Sequence, residues 1–460
     1  MAWRSAAQRR ISAFVASTAK NRGSNCKLSA LCRPRVLSQS EPMFQHKYAV
    51  RYSSTAAPTT KNSTYDASKV ILALDSVGKT LTVTWKDGSK SRFHSIWLRH
   101  NCHCGLCMQE HSGQKLIDPA SVPHHVSIEE VCIDGDHLEI QWKGSPPHVG
   151  HVLLSFLQTN CYESDYLSIK RESVKLGPPA QAIPQLYYSD LIKTSDGVLR
   201  WLRQINEAGV SLMKDVPTED NMVQKIAEHI GPAEDLIYGE TWDVISTPKP
   251  INVAYSTAGL DFHMDLIYYE SPPGLQFLHC LRFDECVEGG ESQFLDVFHV
   301  AEEFRKAHPD KFHTLSQIPA TFQKIHYARD FPVEMKYQRP HIVLNQYQEI
   351  VAVNWAPAFE GPLAVEQHEV EPYYEAYQEF AKAIKYSPDI MECQLKPGDL
   401  VTFNNRRILH ARKSFDLNGG VRHLKGCYVN IDHFKSQVQV FSNLHGTGQP
   451  AKRVGNQDWF

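Results

Sequence analysis

A chain of 460 residues with 42% hydrophobic, 10% aromatic and 22% charged residues is longer than one typical domain and excludes the fibrous and disordered classes. No run of about 18 apolar residues occurs, so no membrane-spanning helix is expected. The formal charge of −3 is unevenly spread: residues 1–54 carry ten basic residues and one acidic, and without them it falls to −12. Such an acidic body lacks the footprint of a nucleic-acid binder and suits a small cationic ligand better.

The first 40 residues hold no Asp or Glu, while arginines and lysines are scattered through a Ser- and Ala-rich background. That composition predicts a mitochondrial transit peptide over 1–54, ending near "YAVRYSS", with a cytoplasmic protein as the second choice. Between Ser68 and Cys161 one pattern occurs twice, "TLTVTWKDGSKSRFHSIWLRHNC" and "HLEIQWKGSPPHVGHVLLSFLQTNC". It predicts a small α+β domain over 65–165, built from two related hairpin-and-helix units.

"KLGPPAQAIPQLYYSD" reads as a linker, and "GVLRWLRQINEAGVSLMKDV" and "EDNMVQKIAEHIG" as amphipathic helices. The large domain is placed at 185–440. Its many short β-type runs, with helices near His299 to His308 and Pro372 to Lys385, predict a mainly β core with flanking helices, a double-sheet jelly roll or another barrel. Residues 441–460 read as a tail.

Eleven cysteines without a secretory signal favour thiols or metal ligands over disulfides. Cys102, Cys104 and Cys107 crowd into C-x-C-x-x-C, three donors of a tetrahedral zinc site that needs a fourth. His148, in the second repeat, is the preferred fourth donor, with His103, His111, His124, His125 and His151 as rivals. Four protein donors leave no open position, so such a zinc would be structural.

"DFHMDLIYYE" reads as a buried strand that sets His263 and Asp265 on one face. Burying both costs several kcal/mol unless a partner or a metal compensates. "VTFNNRRILHARKSF" ends a strand at His410, and Arg422 follows twelve residues later. Two His and one carboxylate leave three open positions, the arrangement of non-haem Fe(II) oxygenases. A 2-oxo acid would take two and O2 the third, with Arg422 as a charged fork for the acid's distal carboxylate.

The stretches "WLRHNCHCGLC", "YGETWDV", "NVAYSTAGLDFHMD", "GGESQFLD", "FNNRRILHARKSF" and "RHLKGCYVNID" resemble the γ-butyrobetaine and trimethyllysine dioxygenase family, relatives of taurine dioxygenase, over roughly 70–440. The resemblance implies a double-stranded β-helix with iron on His263, Asp265 and His410. It also implies Arg422, Leu278 and Ser292 near the co-substrate 2-oxoglutarate, ascorbate keeping iron reduced, and a homodimer. Tyr238, Trp242, Tyr255 and Tyr428 match its aromatic cage for a trimethylammonium group, and Asn252 the residue meeting the carboxylate. Hydroxylation of γ-butyrobetaine to L-carnitine is the reaction implied, with trimethyllysine or another betaine as the alternative, and a non-catalytic zinc and β-helix interaction protein as the alternative of another class. Leu266 and Ala356 depart from the pattern, where Tyr and Asn are expected, and Met264 stands where Thr is usual.

Overall fold

The computed structural model describes residues 70–144, 147–245, 256–329 and 331–455. The expected transit peptide and two substrate candidates, Asn252 and Tyr255, lie outside the described residues. Among these residues no helix is long and apolar enough to cross a membrane.

The twofold sequence pattern folds as two three-stranded antiparallel sheets, each closed by a short helix. The first comprises β1 (Ile71–Leu74), β2 (Thr80–Thr84) and β3 (Lys90–His94), the second β4 (Ile128–Asp134), β5 (His137–Trp142) and β6 (His148–Leu153). In the central strands alternate residues are buried: Leu81 and Val83 in β2; Leu138, Ile140 and Trp142 in β5. Six-residue helices, Ser95–His100 and Leu154–Thr159, follow. They end on Asn101 (φ −115°, ψ 26°) and Asn160 (φ −113°, ψ 25°). Each amide donates to the carbonyl four residues back, Trp97 at 2.8 Å and Phe156 at 2.9 Å. The repeat is therefore structural, though each unit has three strands rather than the expected two. Both units share one core with Phe93, Leu98 and Leu157.

Two larger sheets follow. The six-stranded sheet runs in the order β7 (Gln185–Tyr187), β8 (Val210–Lys214), β19 (Leu400–Asn404), β11 (Leu275–Phe283), β22 (Arg422–Val429), β9 (Trp242–Ile245), and only β7 and β8 pair in parallel. The four-stranded sheet runs β10 (Leu260–His263), β20 (Ile408–Arg412), β13 (Ser292–Asp296), β18 (Met391–Cys393). They face one another across Cys280, Phe294, Phe403 and Ile408, with the Phe294 and Phe403 rings edge to face at 5.3 Å. The helix Ser195–Ala208 covers the large sheet, its Trp201 ring 6.2 Å from that of Phe277.

Smaller pairs surround this core: β12 (Glu288–Gly289) with β21 (Phe415–Asp416), β14 (Pro319–His326) with β15 (Val333–Pro340), and β16 (Ile342–Leu344) with β17 (Ile350–Val353).

Four expectations need correction. The helix expected through Val216 stops at Ala208, because Gly209 takes the left-handed cap (φ 75°) and the next five residues, the first four of them buried, form β8. The linker contains β7. The strand expected through "DFHMDLIYYE" ends at His263, and Leu266 adopts φ 55° in the following turn. The tail instead begins as the last turns of a helix, Ile431–His445, and continues to a buried Val454.

Candidate metal centres and active site

In the N-terminal sheets β6 brings His148 beside the cysteine triplet. Its Nε2 lies 3.5 Å from Cys102 Sγ, 3.7 Å from Cys104 Sγ and 3.6 Å from Cys107 Sγ. A zinc ion about 2.3 Å from sulfur and about 2.0 Å from nitrogen sets tetrahedral ligands roughly 3.5 Å apart, so the donor set fits that ion. His103 and His151 are engaged elsewhere, the first against the Phe156 ring, the second against His137. Gly150 makes the approach possible, since a Cβ there would stand 2.3 Å from Cys102 Sγ. Burial pushes the Cys102 thiol up to about 12 and raises Cys107, although Arg99 donates to the latter at 3.2 Å. Unmetallated, these two are thiols, not thiolates, at neutral pH.

The second cluster forms between the large sheets. His263 and His410 are direct partners across β10 and β20, with ring centroids 4.2 Å apart. Asp265 reaches both, Oδ1 3.5 Å from His263 Nε2 and Oδ2 3.8 Å from His410 Nε2. His263 Nδ1 lies 2.7 Å from the Asp261 carbonyl, which can only accept, so in the neutral ring Nε2 holds the lone pair for a ligand. His410 Nδ1 is buried and without a partner among the described residues. The three donors could hold one ion and leave the rest of its coordination sphere open.

Asp265 is fixed from three sides. Its N–H donates to Asn405 Oδ1 at 2.8 Å, its carbonyl accepts from Asn405 Nδ2 at 3.1 Å, and Oδ2 accepts from the Tyr428 hydroxyl at 2.6 Å. Burial alone would raise its carboxyl, but His263, His410 and Tyr428 hold it well below the usual carboxylate range. Burial, with His263 beside it, pulls His410 down to about 3, whereas Asp265 outweighs burial at His263 and raises it. The strand carrying His410 is anchored by the buried Arg407–Asp296 pair, 2.7 Å, and Asp296 also caps the helix Val297–Ala307. Removing one partner of such a pair costs about 3–5 kcal/mol.

Arg422 opens β22 with 4% exposure, its guanidinium centre 5.2 Å from the Phe415 ring centroid and 5.8 Å from that of Phe283. Its buried Nε has no hydrogen-bond partner among the described residues, and burial brings the group down to about 10. Gly289 and Gly290, at φ 80° and 76°, form the turn beside it, and a Cβ on Gly290 would lie 3.4 Å from that Nε. Ser292 starts β13 opposite Arg412, while Leu278 pairs with Gly426 and Val401. A buried cation in an apolar slot asks for an anion.

Three of the four cage candidates are described. Trp242 stacks on Tyr428 at 4.1 Å and 25°, and Tyr238 lies 6.4 Å from Trp242. Gly426 permits the stacking, since its Cβ would meet the indole at 2.6 Å. Sequence reasoning missed Asn405, which acts through a tertiary contact with Asp265.

Residues 172–428 match the model of the taurine catabolism dioxygenase TauD, TfdA family, and residues 72–152 that of the gamma-butyrobetaine hydroxylase-like N-terminal region. The chain belongs to the TauD, TfdA family. It is therefore an oxygenase. A gamma-butyrobetaine dioxygenase of Pseudomonas sp. (strain AK-1) is 31% identical over 365 residues, 78% of this chain and 93% of that protein. The gamma-butyrobetaine dioxygenase of Homo sapiens is 27% identical, covering 78% and 94%. The mitochondrial trimethyllysine dioxygenase of Mus musculus is 26% identical, covering 78% and 84%. Both metal-competent clusters fall inside these TauD-family and N-terminal matches.

Proposed function

We propose that this TauD-family oxygenase hydroxylates a trimethylammonium carboxylic acid, γ-butyrobetaine to L-carnitine above all, with Fe(II) and 2-oxoglutarate. The observation carrying this reading is the convergence of His263, Asp265 and His410, with Arg422 buried beside the same sheets and its Nε lacking a partner among the described residues. Iron on the triad, with 2-oxoglutarate and O2, would supply the oxidising power, the co-acid leaving as succinate and CO2.

The chain's own residues do the rest. Asn405 and Tyr428 hold Asp265 in place, so the carboxylate offers a lone pair without reorganising. Arg422 presents a fork to the distal carboxylate of the co-acid, with Ser292 and Leu278 lining that side. Tyr238, Trp242 and Tyr428 offer aromatic faces to a quaternary ammonium, which has no hydrogen bond to give. Tyr255 and Asn252 belong to the same reading.

The wider reading includes zinc on Cys102, Cys104, Cys107 and His148, a double-stranded β-helix made by the two large sheets, domains at 65–165 and 185–440, a homodimer, and ascorbate keeping iron reduced. Import into mitochondria rests on residues 1–54 and on the mitochondrial trimethyllysine relatives. The deciding experiment is a mass-shift assay with Fe(II), 2-oxoglutarate and a panel of betaines. A gain of one oxygen on γ-butyrobetaine faster than on trimethyllysine is the expected result; the reverse order moves the protein to the trimethyllysine reaction.

A further inference from the structure

Arg412 lies on β20 two residues beyond His410 and is buried, yet its guanidinium holds a segment that is not. Its Nη2 donates to the Ser256 carbonyl at 2.8 Å and to the Ala258 carbonyl at 2.6 Å. The Phe415 N–H, at the start of β21, donates to the carbonyl between them, Thr257, at 3.1 Å. Three consecutive carbonyls are therefore gathered at one corner of the sheet, although Thr257 and Ala258 are exposed. Exposed carbonyls can be satisfied by water, so donors from a buried arginine and a strand N–H fix the path of this backbone rather than merely solvating it. The segment leads directly into β10 and His263.

The same corner meets Arg422. The Arg412 guanidinium centre lies 4.8 Å from the Phe415 ring centroid and that of Arg422 5.2 Å from it. Gly290 closes the corner, since a Cβ there would stand 3.3 Å from Phe415 Cβ and 3.4 Å from Arg422 Nε, so ring and arginine have little room to shift independently. Two like charges thus share one ring in an apolar setting, and burial together with the Arg422 charge brings Arg412 down to about 10. An anion on Arg422 cancels that repulsion and leaves Arg412 its full attraction for the Ser256 and Ala258 carbonyl dipoles. On the other side of the clamp the chain runs back to Tyr255 and Asn252, which the functional reading gives to the prime substrate.

We propose that Arg412 is a positioning residue that couples the two substrates: 2-oxoglutarate on Arg422 strengthens the hold of Arg412 on Ser256 and Ala258, and the residues just before them then meet the betaine in a fixed place. The assignment rests on the trimethylammonium-acid reading above and adds a regulation of that same site. Coupling between two binding events is reciprocal, so the betaine strengthens co-acid binding by the same factor. A loosened clamp leaves the betaine poorly placed, and co-acid is then consumed without a matching yield of hydroxylated product.

The test uses the iron-loaded full chain, 2-oxoglutarate and the betaine of the panel that is hydroxylated fastest. In anaerobic binding to the wild type, 2-oxoglutarate should tighten the betaine about tenfold, and the betaine should tighten 2-oxoglutarate equally. In Arg412→Met the factor should fall to about twofold or less, with binding of 2-oxoglutarate alone changed by no more than about threefold. With O2 and ascorbate admitted, hydroxylated betaine per succinate should drop at least about twofold in that variant. If Arg412→Met fails to retain iron, Arg412→Lys decides, since its shorter, non-planar head cannot serve both carbonyls equally: a reduced factor supports the assignment and the wild-type factor overturns it. A betaine affinity indifferent to 2-oxoglutarate in the wild type, or an undiminished factor in Arg412→Met, overturns the Arg412 assignment while hydroxylation itself stands. Hydroxylation of no trimethylammonium compound overturns the functional reading and this assignment with it.

Discussion

The two metal-competent clusters of this chain solve opposite problems. In the N-terminal sheets three thiols lie 3.5–3.7 Å from His148 Nε2, and Gly150 clears the space, a donor set that would fill a tetrahedron around a zinc ion. Between the large sheets three donors converge among the described residues, and Asn405, Tyr428 and Asp261 fix Asp265 and His263 rather than adding a fourth. A closed donor set supplies folding energy, whereas an open one supplies reactivity at the cost of needing external scaffolding. The contrast extends to protons: burial keeps Cys102 and Cys107 protonated, while Asp265 is already ionised and His410 already neutral.

Breaking the open cluster should have the largest effect on chemistry. Asp265→Ala is expected to lower kcat at least about a thousandfold, the loss of several kcal/mol of metal-borne stabilisation, with zinc content unchanged. Succinate release and zinc analysis on one preparation check both halves. Breaking the closed cluster should do the reverse. Cys104→Ser or Gly150→Ala is expected to release zinc and destabilise the N-terminal sheets by several kcal/mol, with the surviving folded fraction retaining most of its turnover. Thermal unfolding followed by metal content and specific activity distinguishes this from a catalytic zinc.

The proton difference predicts a pH effect of definite sign. Loading zinc must expel protons from at least two raised thiols, so apparent zinc affinity should climb about a hundredfold per pH unit near neutrality, with weaker binding as pH falls. Calorimetric titration in two buffers of different ionisation heat counts those protons, and a value near zero would contradict the assignment of the thiols. The smallest expected effect belongs to Tyr428→Phe, which keeps the ring stacked on Trp242 but removes the donor to Asp265 Oδ2. Iron affinity should fall about 10- to 100-fold, the usual penalty for losing an outer hydrogen bond to a metal ligand, with little change in the affinity for a quaternary ammonium. Equal iron binding by both forms would sever that link.

Much of this site was legible from residue spacing. Cys102, Cys104 and Cys107 lie so close in sequence that any fold brings them together, and the internal repeat pointed to a facing strand for His148. His263, Asp265, His410 and Arg422 were legible as a set from their residue types, order and spacing, although Asp265 lies past the end of β10. The actual end of β10 was not, since Leu266 at φ 55° reflects the grip of Asn405 on Asp265 from 140 residues away. β8 was hidden because the apolar pattern of the preceding helix runs on into it, and only Gly209 marks the boundary.

The central claim is that His263, Asp265 and His410 hold one divalent ion with coordination positions left for the co-acid. Anaerobic equilibrium dialysis of Fe(II), with and without 2-oxoglutarate, tests it most directly. One iron per chain beyond any zinc on the cysteine cluster, held more tightly when 2-oxoglutarate is present and lost in Asp265→Ala, is the predicted result. Iron bound equally well by wild type and Asp265→Ala, or indifferent to 2-oxoglutarate, would contradict it.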